Sequence, residues 1–463
     1  MLREPTLAMI AEITSGTLIS GNADTQVSSV STDTRTLGNG SLYIPLTGER
    51  FDGHAFAAQA QSAGAVAMLA VRDVETDLAV IRVADTLRAL ADIAAWHRDQ
   101  FDGPVAAVTG SAGKTTVKHL MGAVLSEKYR TLITQGNLNN HIGAPLTLLS
   151  LSPEHEAAMI ELGASAVGEI EYTARLVRPQ VGILTNVVPA HLEGFGSVDN
   201  IALTKGELID AVADDGAMVL NADDVYFSQW VERAGQRRVI SFGLDHSADI
   251  SAENIRETLA GSEFDLKSEL VSGHISLGFP GLHNVRNALA VIAAAHALGL
   301  SDAEIISGLE RATPVSGRLE RCTGHAGQVI LNDAYNANPV SFKAAIDVLA
   351  LADTRRVLVM GDMAELGDDA RAMHASTGAY AAERNIELLV ATGELSAAAF
   401  EAFGTNVGAN TGSGEAHWFA TQSELIEFLK QNTSATDTLL VKGSRSAGMD
   451  KVVHALTEQE EEN

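Results

Sequence analysis

The amino-acid sequence predicts an α/β protein with a mainly parallel sheet at its centre. Three observations lead there. Short apolar runs alternate along the chain with segments whose apolar residues fall at helical spacing. One run, Val105–Val108, feeds a Gly-rich turn that opens a helix. Beyond about residue 313 the same alternation restarts as a second, smaller α/β unit. Strands that alternate with helices are covered on both faces, so they read as continuous apolar runs.

The elements follow in order. Ala65–Val71 and Ala79–Val83 are strand-like, and Leu87, Leu90, Ile93, Ala94 and His97 mark a helix over Thr86–Gln100. Gly103-Pro104 reads as a linker. After the Gly-rich turn, Val117, Leu120, Met121, Val124 and Leu125 form one apolar helix face. Further strand-like runs are Ala157–Leu162, Val181–Val187, Ala217–Leu220 and Val239–Phe242, and Pro280-Gly281 precedes a helix over Val285–Leu298. The last unit offers strands at Val329–Leu331, Val357–Met360, Leu388–Val390 and Leu439–Val441. Its helices fall near Ser341–Leu351, Ala370–Glu383, Ser423–Gln431 and Ala447–Leu456. The acidic tail Glu458–Asn463 is expected to fray.

Bulk properties narrow the function. The 463 residues, 46% hydrophobic and 20% charged, suit a globular chain of several domains. A net charge of -27 disfavours nucleic-acid binding, which needs a basic face. Anionic substrates stay open, because backbone N–H groups and one Lys can bind phosphate on an acidic protein. Cys322 is the only cysteine, so no intrachain disulfide forms, which fits a reducing compartment. There is no signal-peptide pattern and no apolar stretch long enough to span a membrane. The expectation is a cytoplasmic, soluble monomer.

The run Thr109-Gly110-Ser111-Ala112-Gly113-Lys114-Thr115-Thr116 has the strand–turn–helix setting of a phosphate-binding loop. Gly110 and Gly113 let the backbone approach phosphates, Lys114 supplies a point charge, and the Thr115 hydroxyl can ligate Mg²⁺. Val108 stands where the longer form of the loop has its first glycine, so this is the short G-x-x-G-K-T form. Glu161 ends a strand-like run, and carboxyl ends of parallel strands line ligand crevices. It is a candidate metal ligand or a solvated strand-end charge. His191 follows another run by a few residues; a lone His there is more often a structural hydrogen-bonder than a ligand. Lys205 alone reads as a surface lysine.

Taken together, the loop, Gly136-Asn137-Leu138-Asn139-Asn140, Glu161-Leu162-Gly163-Ala164 and Ala190-His191-Leu192-Glu193-Gly194-Phe195-Gly196 resemble the Mur ligases of peptidoglycan synthesis. The resemblance covers nearly the whole chain. Ser31-Thr32-Asp33-Thr34-Arg35 and the Ile44 to His54 run are similar to the family's UDP-sugar-binding segment. His283–Ala288 is similar to its adenine-side segment. Asp333–Pro339, Gly361–Gly367 and Lys442–Arg445 are similar to its C-terminal domain. The order and spacing of these motifs are specific where each alone is not.

The resemblance implies three domains: a small N-terminal α/β domain for the UDP-sugar (1–102), a central P-loop domain for ATP (103–313) and a C-terminal Rossmann-like ligase domain (314–463). It implies ATP and Mg²⁺ as cofactors, with UDP-N-acetylmuramoyl-tripeptide and D-alanyl-D-alanine joined through an acyl phosphate. Carried over residue by residue, Lys114, His191, Lys205 and Arg318 are catalytic. Gly110–Thr116, Asn287, Arg318, Asp333 and Tyr335 bind ATP. Ser31, Asp33, Arg35, Thr47, Asn137 and Asn140 bind the UDP-substrate, and Thr115, Glu161, His191 and Lys205 are on the metal side, Lys205 as a carbamate. Pro189 departs from the pattern, where a less rigid residue is expected. The alternatives are a sibling ligase, a folylpolyglutamate synthase-like ligase, a non-catalytic nucleotide binder and a motor-type P-loop ATPase. The N-terminal segment argues against the folate enzyme, and the missing first glycine against the motor. Whether the third peptide residue is meso-diaminopimelate or lysine stays open.

Overall fold

The computed structural model describes residues 1–48, 51–189, 192–409 and 414–457. His191, Glu49, Arg50 and the tail from 458 lie outside the described residues. Three sheets carry the architecture. The first has five strands in the order Thr17–Ser20, Ala79–Arg82, Ala65–Ala70, Ser41–Tyr43, Ser29–Ser31, with only the first edge pair antiparallel.

The central sheet is parallel throughout. Its order is Arg238–Phe242, Ala217–Asn221, Val181–Leu184, Val105–Thr109, Ala157–Glu161, Thr131–Ile133. Val105–Thr109 is buried along its whole length, as a strand covered on both faces must be. Helix Lys114–Ser126 packs Val117, Leu120, Met121, Val124 and Leu125 on one face of the sheet, with helix Leu282–Ala297 beside it. The other face is covered around Leu148, Ile170, Ala174, Leu208 and Ile209. The register sets Glu161 opposite Val108, which brings the end of one strand beside the strand that runs into the Gly-rich turn.

The third sheet has the order Glu320–Thr323, Val329–Asp333, Asp437–Lys442, Arg355–Met360, Leu388–Thr392, Glu415–Phe419. All its pairs are parallel except the first. Ala370–Glu383 forms a helix with the expected bounds. Val181–Val187 is a strand only to Leu184, because the chain leaves the sheet there to wrap the turn at Ser111. Asp450–Thr457 begins later than expected, after a short 3-10 turn at Arg445–Ala447. Ser251–Thr258, Gly261–Lys267 and His274–Leu277 form an antiparallel three-stranded sheet that the sequence pattern does not reveal.

Helix Thr86–Arg98 ties the first unit to the second. His97 is fully buried and its Nε2 lies 3.0 Å from the carbonyl of Leu151. The Arg98 guanidinium is buried, has no carboxylate partner among the described residues, and donates to three carbonyls: Val177 at 2.8 Å, Phe101 at 2.8 Å and Arg178 at 3.2 Å. It thereby caps the C-terminal end of helix Glu169–Val177, whose N-terminal end borders the cleft described below. Arg98→Met leaves those carbonyls unpaired in the interior. It is expected to lower unfolding stability in urea by about 2–4 kcal/mol. A change within about 0.5 kcal/mol, the range of ordinary surface substitutions, contradicts the role given to Arg98.

Candidate active site

Two glycines shape the turn at the end of Val105–Thr109. Gly110 has φ 149°, and a Cβ there would lie 1.9 Å from Thr185 Oγ1. Gly113 has φ 84° and caps helix Lys114–Ser126; its Cβ would lie 2.4 Å from Asn287 Oδ1. Both positions need glycine for conformation and for space. The neighbouring strand end holds the turn from outside. Ser111 N donates to Asn186 O at 2.9 Å, Ala112 N donates to Asn186 Oδ1 at 2.9 Å, and Thr185 Oγ1 donates to Ala112 O at 2.6 Å. The first N–H groups of the helix have no partner within it, which leaves donors and a positive dipole end for an anion. Lys114 Nζ curls back to the carbonyls of Gly110 at 2.7 Å and Ser111 at 3.3 Å. Burial, reinforced by Arg318, holds its pKa below the ordinary lysine value against the pull of Glu161.

Glu161 is 3% exposed. Its Oε1 accepts from Thr115 Oγ1 at 3.2 Å and from Asn139 Nδ2 at 2.8 Å. Its Oε2 lies 3.3 Å from Lys118 Nζ but accepts no hydrogen bond among the described residues. Burial pushes this carboxyl up; Lys118, Lys114, Asn139 and Arg318 together outweigh that and hold it below the usual range, so it is ionised.

A cavity of about 570 Å³ opens in front of these groups, between the central and C-terminal units. Ser111–Thr116, Asn137, Asn140, Glu161 and Asn287 line it from one side, and Arg318, Asp333 and Tyr335 from the other. The guanidinium of Arg318 stacks 4.5 Å from the Tyr335 ring centre and forms no ion pair among the described residues. Asp333 Oδ2 pairs with Lys442 Nζ at 2.5 Å, and Leu319 N donates to Asp333 Oδ1 at 3.2 Å. Burial raises the Asp333 carboxyl in spite of Lys442. Asn140 uses its side-chain oxygen to accept from Gly143 N at 2.8 Å, at the start of helix Gly143–Leu149, which leaves its amide N–H groups for a ligand.

Other candidates lie elsewhere. Ser31, Asp33, Arg35 and Thr47 sit on the first unit and do not line the cavity. Arg35 forks onto Asp33 at 2.9 and 2.6 Å and holds that carboxyl down to about 2. Thr47 is exposed in a short hairpin, 3.4 Å from Asp52. Lys205 lies behind the cavity wall, buried on helix Val198–Ala211, with Nζ 3.5 Å from Ala164 O and 5.4 Å from the Phe195 ring centre. The sequence reading gave no role to Lys118, Asn139, Thr185, Asn186 or Lys442. Lys118 sits one helical turn after Lys114, on the same face, a spacing that by itself does not separate a buried lysine from a solvated one.

Comparison with known proteins agrees with this layout. The chain matches three domains: the Mur ligase family catalytic domain over residues 26–98, the Mur ligase middle domain over 108–295 and the Mur ligase glutamate ligase domain over 317–445. It is 42% identical over 456 residues to the UDP-N-acetylmuramoyl-tripeptide–D-alanyl-D-alanine ligase of Escherichia coli (strain K12), covering 98% of each chain. The MurF crystal structure from Acinetobacter baumannii superposes with a TM-score of 0.92 at 36% identity, over 99% of this chain and 100% of that one. MurF from Thermotoga maritima in complex with ADP superposes with a TM-score of 0.81 at 26% identity, over 92% and 96% of the two chains.

Burial is the main reason that the Lys205 pKa falls from 10.5 to about 7, with Lys114 adding to it and Glu169 and Glu207 opposing it. From about pH 7 to about 10 the unfolded chain holds a proton that the folded chain does not, so this group makes stability rise with pH across that window. In CO₂-free buffer the stability gap between the native protein and Lys205→Met should shift in favour of the native protein as pH rises from 7 to 10. A gap independent of pH contradicts the buried placement.

Proposed function

The chain belongs to the Mur ligase family, and from that premise we propose that it joins D-alanyl-D-alanine to UDP-N-acetylmuramoyl-tripeptide, driven by ATP. The observation that carries the reading is one cleft. It gathers a phosphate loop, an ionised buried carboxylate and an arginine with no carboxylate partner among the described residues. The reaction belongs to peptidoglycan precursor synthesis. No helix among the described residues is long and apolar enough to cross a membrane. We place the enzyme in the cytoplasm as a monomer, with domain bounds of 1–102, 103–313 and 314–463.

A carboxylate is a poor electrophile and needs activation. A terminal oxygen of the tripeptide attacks the γ-phosphorus of ATP, and ADP leaves. The amine of the dipeptide then attacks the carbonyl carbon. The tetrahedral intermediate expels phosphate with the C–O bonding pair, and the nitrogen gives up a proton. Catalysis here is mostly charge placement and positioning. In this reading Lys114 and the loop N–H groups offset the β- and γ-phosphate charge, and Arg318 approaches from the opposite wall. Asn287, Asp333 and Tyr335 contact the nucleotide. Ser31, Asp33, Arg35, Thr47, Asn137 and Asn140 hold the UDP-substrate. Closure of the C-terminal unit keeps water from the acyl phosphate.

The residues fit a magnesium ion. No three His, Cys, Asp or Glu side chains cluster to hold a metal among the described residues. Mg²⁺ needs only one or two carboxylates when phosphates and waters complete its shell. Thr115 Oγ1 and Glu161 Oε1 are 3.2 Å apart, close to the ~2.9 Å between adjacent corners of an octahedron with 2.0–2.1 Å bonds. The ion would be held by Thr115 and Glu161, and would supply Lewis-acid neutralisation of the phosphate oxygens. We assign His191 and Lys205 to a second metal position. An amine with a pKa near 7 is substantially neutral at physiological pH. It can therefore add to CO₂, forming an N–C bond and releasing a proton, and the resulting carbamate offers oxygen ligands.

The test is a ligation assay with purified protein. Release of ADP and phosphate should require UDP-tripeptide and dipeptide together, with an amide product of matching mass. Phosphate release that ignores either substrate contradicts the assignment. Lys114→Ala should abolish turnover in a folded protein. Retention of more than about a tenth of native activity, a loss of only ~1.4 kcal/mol of barrier, contradicts the role of Lys114.

A further inference from the structure

Lys118 is a buried charge that the reaction described above does not use. Its side chain is 1% exposed, and it does not line the cleft. It stands behind Glu161, with Nζ 3.3 Å from Oε2 and 3.4 Å from the carbonyl of Gly136. Burying an ammonium and a carboxylate together is costly and is retained only where geometry compensates it. The division of labour on Glu161 is sharp. Oε1, on the side of Thr115 and Asn139, has the donors that a metal ligand can exchange. Oε2 lies beside the lysine and accepts no hydrogen bond among the described residues.

The charges around this carboxylate are lopsided. Lys114, Lys118 and Arg318 all act on Glu161. Glu169 and Asp333 also line the cavity, Asp333 already paired with Lys442; around Glu161 itself three cations face one carboxylate, which disfavours a bare dication. A nucleotide triphosphate reverses the sign of the field. Lys114 and Arg318 border the cavity, so phosphates can occupy them. Lys118 does not, so its charge stays on Glu161 throughout.

We propose that Lys118 is a built-in counter-ion to Glu161 that blocks loading of a bare divalent cation and makes metal entry depend on the nucleotide. The proposal rests on the reading of Thr115 and Glu161 as metal ligands. Lys118 is then a positioning residue. It touches neither nucleotide nor metal, yet it sets the order in which they arrive. It also favours Glu161 as a ligand through Oε1, since Oε2 lies 3.3 Å from the ammonium. The bond to Gly136 O links the same ammonium to the start of the Gly136–Asn140 loop, which bears Asn137 and Asn139.

The experiment is a Mn²⁺ titration of the full-length protein, read by electron paramagnetic resonance, with and without a non-hydrolysable ATP analogue. The native protein should bind Mn²⁺ weakly alone and at least about a hundredfold more tightly in the nucleotide complex. Lys118→Met should tighten Mn²⁺ binding to the free protein by about tenfold or more, whereas Lys118→Arg should match the native protein. A merely structural role for Lys118 predicts weaker metal binding in Lys118→Met, not tighter. If Lys118→Met fails to fold, Lys118→Gln removes the charge while keeping a polar N–H group at that position. Unchanged Mn²⁺ affinity in the folded neutral variant overturns the proposal. So does native protein that binds Mn²⁺ as tightly without nucleotide as with it. Glu161→Gln separates the two levels: if Mn²⁺ binding to its nucleotide complex is unchanged, Glu161 is not a ligand and the underlying metal reading fails first.

Discussion

The structure is organised around one constraint, an ionised carboxylate with almost no contact with water. An isolated carboxylate in such a place costs about several kcal/mol. Glu161 avoids that cost by drawing two hydrogen-bond donors and a cation from the segments around it. Thr115 and Lys118 come from the helix that follows the Gly-rich turn, and Asn139 from the loop after Thr131–Ile133. Its own N–H donates to Thr134 Oγ1 at 3.0 Å. These groups meet only if the strands keep their parallel register, with Glu161 beside Val108. The requirement thus runs from one side chain back to the sheet, and from the sheet to the apolar residues that bury it.

The opposite wall has a different character. Tyr335 carries Arg318 on its ring at 4.5 Å and Arg445 at 5.5 Å. A cation–π contact keeps a guanidinium in place without neutralising it, so its charge stays available to an anion. Asp333, by contrast, is paired with Lys442, whose Nζ also donates to Asn336 O at 3.0 Å. The pair spans the carboxyl ends of adjacent parallel strands, Val329–Asp333 and Asp437–Lys442, and so fixes an edge that lines the cavity. An acidic protein with a net charge of -27 can therefore still present lysine and arginine side chains to anionic groups in one cleft.

Much of this was legible in the sequence, for identifiable reasons. The buried parallel strands are near-continuous apolar runs, and the helix behind the loop shows its apolar face at strict helical spacing. The antiparallel strands from Ser251 to Leu277 were not legible: Ser251–Thr258 is half exposed, and its polar residues blur the two-residue period. The loop and Glu161 could be named because their chemistry follows from residue type and position at a strand end. Lys118 could not, since a lysine on an amphipathic helix is ordinarily solvated; only the fold shows that this face is closed. Lys205 likewise read as a surface lysine, and burial makes it a neutral-leaning amine. Asn140 shows the converse. Its side chain caps a helix, a local role that spacing alone does not separate from substrate contact.

The central claim is that the cleft transfers the γ-phosphoryl group to a substrate carboxylate rather than to water. Labelling both oxygens of the UDP-tripeptide's reacting carboxylate with ¹⁸O tests this directly. If the acyl phosphate forms, one labelled oxygen per turnover leaves in inorganic phosphate and the other stays in the amide carbonyl. Unlabelled phosphate released in step with product would contradict the account.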